Sequence, residues 1–147
     1  MIDKELKIWA AGFFDGEGSA LIERVKNTFQ LTVCVATTDP GISEDIISSW
    51  GGHYRRSQNM SKYDENSSSM DYTVMFNRDE AKKFLLDIFP YLRVKRKEVN
   101  IVLRALCVLP KQGGKHGTEA KRAPRGSLRA LEPFYEELQS LRSEKKI

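Results

Sequence analysis

Across Gly16-Glu17-Gly18 the spacing of apolar residues switches from helical to every second residue. After Gly51-Gly52 the chain makes the same switch again. Each time a helical stretch leads into two strand-like ones, and few architectures accommodate that order. The first helix spans about 3–14, with Asp3 as its cap. Strands follow over 19–25 and 29–37, joined as a hairpin through Lys26-Asn27-Thr28. Asp39 caps a second helix with Pro40 at its first position, and Ile42, Ile46 and Trp50 form its buried side. Strands over 53–57 and 70–77 flank a polar, serine-rich loop over 58–69.

Asn77 and Glu80 form a capping-box pattern at the start of a third helix, which turns Ala81, Phe84, Leu85 and Ile88 inward and stops at Pro90. A fourth helix carries Val99, Val102, Leu103, Leu106 and Leu109 up to Pro110. Residues 111–126 hold Lys111, Lys115, Lys121, Arg122 and Arg125 against only Glu119, the composition of a basic flexible loop. Pro133 opens a last helix with Phe134, Leu138 and Leu141 inside. Two αββ units in succession imply an α+β fold: one antiparallel four-stranded sheet with helices on one face. Residues 1–110 form the main domain, 111–126 the loop, and 127–147 a helix packed on the same domain.

That arrangement leaves one sheet face open. Ile22, Leu31, Val33, Val35, Tyr54, Tyr72, Val74 and Phe76 share the parity expected to face the helices. The opposite parity holds Glu23, Gln30, Thr32, Cys34, His53, Arg55, Ser57, Asp71 and Thr73, extended at the hairpin tip by Arg24, Lys26 and Asn27. Long donors and acceptors of this kind suit a plain solvated face. They are also what a ribbon reading base edges in the DNA major groove would carry, but the face alone favours the solvated reading.

Composition narrows the field without choosing. A chain of 147 residues, 30% charged and 40% hydrophobic, is an ordinary globular chain with a net charge of +4. No apolar run approaches the ~20 residues of a membrane span, and no secretory signal is visible. The two cysteines, Cys34 and Cys107, stand far apart with neither histidine beside them, so a structural zinc is not expected. Both read as reduced thiols in or near apolar faces of a soluble, intracellular protein.

The first helix has two non-polar stripes. Leu6, Ala10, Phe13 and Phe14 form a side facing the protein's own core. Trp9, Gly12 and Gly16 form another, and two of those three have no side chain. A helical glycine costs about 1 kcal/mol relative to alanine. Either a second helix approaches closely there, or the helix frays into the glycine turn; both readings stand.

The string Trp9-Ala10-Ala11-Gly12-Phe13-Phe14-Asp15-Gly16-Glu17-Gly18-Ser19 resembles the signature of the LAGLIDADG homing endonucleases. Ala10 stands where the motif has leucine, and Glu17 where its name-giving form has aspartate. The order of elements agrees with that family's αββαββα core and its saddle-shaped sheet. The segment Pro90-Tyr91-Leu92-Arg93-Val94-Lys95-Arg96-Lys97-Glu98-Val99-Asn100 resembles its basic stretch entering the last core helix. A dinucleotide fingerprint is excluded, because there a strand precedes the glycines and a helix follows.

The resemblance implies a site-specific, double-strand DNA endonuclease of intron or intein origin. It implies a homodimer, since one chain carries one motif, with Trp9, Gly12 and Gly16 between the subunits. It brings two Glu17 carboxylates together, a repulsion that divalent cations relieve. Glu17, the Gly16 carbonyl and a DNA phosphate are hard oxygen donors for Mg²⁺. Mn²⁺ is expected to substitute, and Ca²⁺ to support binding without cleavage. No small-molecule cofactor is implied.

Lys95 corresponds to the family's basic residue near the cut phosphate; a solvated helix start is the competing reading. Asp39 corresponds to a polar residue organising active-site water, and helix capping explains it equally well. A strand of about eight residues covers about 26 Å. That is about seven or eight base pairs, so the dimer site is long and nearly palindromic. A non-cleaving DNA-binding regulator and an intron RNA maturase are the alternatives.

Overall fold

The computed structural model describes residues 2–60, 68–109 and 129–145, of which 56–60 and 68–71 by their backbone alone. Helix α1 (Lys4–Glu17) leads into strands β1 (Gly18–Val25) and β2 (Thr28–Thr37). Helix α2 (Pro40–Trp50) leads into β3 (His53–Met60) and β4 (Ser68–Met75). Helix α3 (Arg78–Ile88), a 3-10 turn (Phe89–Tyr91), α4 (Arg96–Val108), a second 3-10 turn (Arg129–Leu131) and α5 (Glu132–Glu144) complete the order. The strands form one antiparallel sheet in the order β1-β2-β4-β3. This is the expected α+β αββαββα core with two helices, α4 and α5, following it. None of its described helices is long and apolar enough to cross a membrane.

The caps lie where sequence chemistry puts them. Asp3 Oδ1 accepts from the Leu6 amide at 2.8 Å, and Asp39 Oδ1 from the Gly41 amide at 2.8 Å. Asn77 and Glu80 exchange a capping box at 2.8 and 3.0 Å. The other Glu80 oxygen accepts from the Gly52 amide at 2.7 Å, tying the end of α2 to the start of α3. Gly51 and Gly52 have φ of 86° and 105°, a backbone open to glycine, and side chains there would also strike Glu80 and Val74.

Three expectations need correction. The first helix does not end at Phe14; it continues through Gly16 and Glu17, so Gly16 lies in its last turn and Gly18 already begins β1. Strands β3 and β4 pair as far as Met60 and Ser68, so the polar loop is shorter than 58–69. Its remainder, 61–67, and the basic segment 111–126 lie outside the described residues. Cys107 is exposed rather than set against an apolar face.

The core lies between the sheet and the helices. Ile22, Val33, Val35 and Val74 are buried on the inner face against Phe14, Ile46, Phe84, Leu85 and Val102. Phe84 stacks on Phe76 and meets Phe14 and Trp50 edge-on. In α1 the fully buried residues are Ala10, Ala11 and Phe14, while Phe13 is half-buried and stacks on Trp9 at 5.5 Å. Helix α4 buries Ile101 and Ala105 as well as the expected Val99, Val102, Leu103 and Leu106. Helix α5 packs along it, with Arg104–Glu137 and Glu98–Lys145 ion pairs between the two.

Candidate nucleic-acid and metal site

The site forms where α1 ends and the sheet begins. Gly18 is the C-cap of α1, and its amide donates to the Phe14 carbonyl. A Cβ on Gly18 would lie 2.1 Å from the buried Phe14 ring, so only glycine lets the chain turn there from helix into strand. Glu17, the last helical residue, is exposed at the rim of a depression of about 400 Å³ lined by Phe13, Ala36, Thr37 and Thr38. The Gly16 carbonyl is among the last four of α1, for which the helix supplies no amide.

On the other side of the same turn, α1 is fastened to the start of α4. Asp15 accepts hydrogen bonds from the amides of Arg93, Val94 and Lys95 at 2.8, 3.2 and 2.9 Å. Partial burial works against the charged carboxylate, but these three amides and the Lys95 charge outweigh it and hold Asp15 below its ordinary range. Lys95 returns the tie: its ammonium donates to the Phe14 carbonyl at 3.3 Å and to the Gly18 carbonyl. A cation at the negative end of a helix is favourable, and α1 has no basic residue of its own in its last turn. Sequence reasoning assigned no role to Asp15, although it lies inside the motif. Its partners are about 80 residues away in the chain, at separations of 78 to 80.

The remaining candidates divide between two places. Residues Trp9, Gly12 and Gly16 lie on one open side of α1. A Cβ at Gly12 or Gly16 would meet nothing within 4 Å, and Trp9 and its neighbour Ile8 are 39% and 46% exposed. No other described element covers either glycine, and Trp9, stacked on Phe13 of the same helix, stays partly exposed beside them. Asp39 caps α2, and its own amide donates to the Thr37 hydroxyl at 3.1 Å, so its carboxylate is engaged in the fold.

The outer sheet face carries the second group. Registration sets Ser19, Cys34, Met75 and His53 in one row across all four strands, and Ala36, Thr73 and Arg55 in another. Glu23 pairs with Gln30, and Leu21 with Thr32. Ser57 pairs with Asp71 in backbone register. Glu23, Gln30, His53 and Arg55 are exposed, while Thr32, Cys34 and Thr73 are half-buried. Burial pushes the Cys34 thiol up, against the pull of a Ser19 hydrogen bond and the Lys95 charge. Ser19, Leu21, Ala36 and Met75 belong to this face by the same alternation and were not among the expected contacts.

Lys26 and Asn27 are exposed at the β1–β2 tip, where Lys26 takes a φ of 54°. Arg24 is different. Its parity is that of Ile22, and it turns toward α5, over the rings of Phe29 and Tyr135 at 5.4 and 5.9 Å. The hairpin-tip expectation placed it with the outer set; the structure places it on the helix side.

No protein-family model matches the sequence, and no curated protein does. Among solved structures the chain is similar to the homing endonuclease I-CvuI in complex with a DNA target in the presence of Mg, at 22% identity and a TM-score of 0.53. That match covers 89% of this chain and 95% of that one. The archaeal intron-encoded homing endonuclease I-Vdi141I complexed with DNA matches at 16% identity and a TM-score of 0.53, over 71% of this chain and 69% of its own. The LAGLIDADG meganuclease I-AabMI bound to uncleaved DNA matches at 21% identity and a TM-score of 0.51, over 69% of this chain and 36% of its own. The element order, the sheet topology and these matches agree that the chain has the LAGLIDADG homing endonuclease fold.

Proposed function

We propose that the chain is a site-specific endonuclease that binds double-stranded DNA as a homodimer and hydrolyses both strands with divalent metal. The observation that carries this reading is the open side of α1. Trp9, Gly12 and Gly16 leave a helix surface that no other described element covers, and that surface ends at Glu17. Two such helices packed together give the glycines a reason and set two carboxylates side by side. The solved structures of similar fold are DNA complexes, which supports the same ligand for the polar sheet face.

The donor set fits a hard divalent cation only in that assembly. Among the described residues no three His, Cys, Asp or Glu side chains gather to hold a metal within one chain. One chain offers the Glu17 carboxylate and the Gly16 carbonyl; the partner subunit and the DNA phosphates would complete the oxygen shell. A bound Mg²⁺ there would stabilise charge on the attacking and leaving oxygens of a phosphodiester. Lys95, hydrogen-bonded to the Phe14 carbonyl at the end of α1, is the basic residue proposed to stabilise charge on the cut phosphate.

On the outer face, Glu23, Gln30, Thr32, Cys34, His53, Arg55 and Thr73 read base edges, with Lys26 and Asn27 at the hairpin tip; Ser57 and Asp71, paired in backbone register, are assigned the same role. Residues 1–110 form the cutting unit, 127–147 a helix packed on it, and 111–126 supply sequence-blind phosphate contacts. Incubation with Mg²⁺ and a randomised duplex library, followed by sequencing of cut ends, tests the proposal. Cuts on both strands at one long, nearly palindromic sequence are expected. Enrichment without cutting would make the chain a binding regulator, and exclusive binding of RNA would overturn the DNA reading.

A further inference from the structure

We propose that Asp15 and Lys95 form a reciprocal clasp whose work is to position the Gly16 and Glu17 oxygens, making Asp15 a positioning residue of the cutting site. The inference rests on the endonuclease reading for its purpose and on the geometry of α1 for its argument. The last turn of α1 contains Gly16 and follows Gly12, and neither is braced on its open side by anything within 4 Å among the described residues. A helix end with two glycines is free to fray unless something holds it.

Two ties of opposite sense hold this one. Asp15 sends a carboxylate to three amides ahead of α4, and Lys95, the last of those three residues, sends an ammonium back to the carbonyls of Phe14 and Gly18. The carbonyls bonded by Lys95 bracket Gly16 and Glu17 in the chain. The ammonium therefore fixes the backbone on either side of the oxygens that would meet a cation. Helix α4 buries Val99, Val102 and Ala105 in the core and packs against α5, so the clasp joins the helix end to an element held by its own burial.

Charge alone and positioning make opposite predictions for one of the two residues, which is what makes the test decisive. Losing the Asp15 charge weakens cation binding on either account. Losing the Lys95 charge removes a repulsion and should tighten it, unless the lysine is holding the oxygens in place. The experiment is a calorimetric Ca²⁺ titration of the full chain bound to a duplex that the parent has selected from a random library. Parent, Asp15→Asn and Lys95→Gln are compared, with circular dichroism confirming that each is folded.

Both variants are expected to bind Ca²⁺ roughly ten- to a hundredfold more weakly, the scale on which groups that orient metal ligands act. Tighter Ca²⁺ binding by Lys95→Gln, or unchanged affinity in either variant, would overturn the clasp. If Asp15→Asn does not fold, the sign of the Lys95→Gln shift decides alone. A parent that binds Ca²⁺ on DNA yet never cuts with Mg²⁺ overturns the endonuclease reading instead, and the clasp is still decided by the titration.

Discussion

Arg24 directs its guanidinium at Glu132, 3.6 Å away on α5, and so faces away from the sheet surface that Arg55 occupies. Two arginines that look alike in sequence thus have different expected phenotypes. Arg24→Ala removes an exposed ion pair and a ring contact, costing under about 1 kcal/mol, and leaves target specificity unchanged. Arg55→Ala relaxes specificity at one symmetric pair of base positions, at about 1–3 kcal/mol each. Binding selection on a randomised library, run for both variants, checks the contrast. Equal loss of specificity from the two would place Arg24 on the reading face after all.

Replacement of Glu17 separates binding from cutting. Glu17→Gln keeps the shape of an exposed side chain and removes the charge that recruits a cation. Target affinity should stay near that of the parent while cleavage disappears. Gel shift in Ca²⁺ and cleavage in Mg²⁺, measured on the same duplex, are sufficient. Near-parental cleavage would show that the cation is held elsewhere.

The two glycines of α1 should respond with opposite signs in monomer and dimer. A Cβ at Gly12 meets nothing within 4 Å among the described residues, so Gly12→Leu gains helix propensity of up to about 1 kcal/mol in the monomer. At a tight helix crossing the same side chain overpacks by about 1–3 kcal/mol or more. Sedimentation should report a dimer for the parent and folded monomer for Gly12→Leu, and Gly16→Ser should behave alike. A parent that stays monomeric with target DNA and Ca²⁺ would sink the paired-Glu17 arrangement.

Gly18 should behave unlike either. Its missing side chain is required inside the chain, where Phe14 fills the space. Gly18→Ala is expected to destabilise the fold by about 1–3 kcal/mol, because a fully buried ring cannot move aside freely. Urea denaturation monitored at fixed protein concentration gives the number. A midpoint equal to that of the parent would mean that the Phe14 ring repacks without cost.

The two thiols should part by pH. Burial raises the Cys34 pKa, so near neutrality it holds less thiolate than an ordinary cysteine and reacts more slowly. Exposed Cys107 should be alkylated first, and the Cys34 rate should keep climbing with pH above the ordinary thiol range. Removing the opposing Lys95 charge, as in Lys95→Gln, should shift the Cys34 profile further upward. Mass spectrometry of iodoacetamide-treated protein resolves the order, and faster labelling of Cys34 than Cys107 would contradict it.

Much of the fold was legible because its signals are local. Caps at Asp3, Asp39 and Asn77, the Gly51-Gly52 stop and the change of period all act within a few residues, and each stands where local chemistry places it. The inner and outer parities of the sheet followed for the same reason, since alternation is a property of one strand. The extent of α1 did not follow. Two glycines weigh against helix locally, and the ties that extend it come from residues 93–95. Whether Arg24 lies on the outer sheet face or turns to α5 depended on a helix more than 100 positions later in the chain. Asp15 gave no sign of its role for that reason too: a carboxylate acquires three amide partners only when two helix ends are brought together. Sequence by itself determined the elements, their order and the identity of the motif, because those rest on spacing and short-range hydrogen bonds. Only the tertiary structure decided which charges face outward and which hold α1 to α4, because those depend on contacts between distant segments that no local pattern encodes.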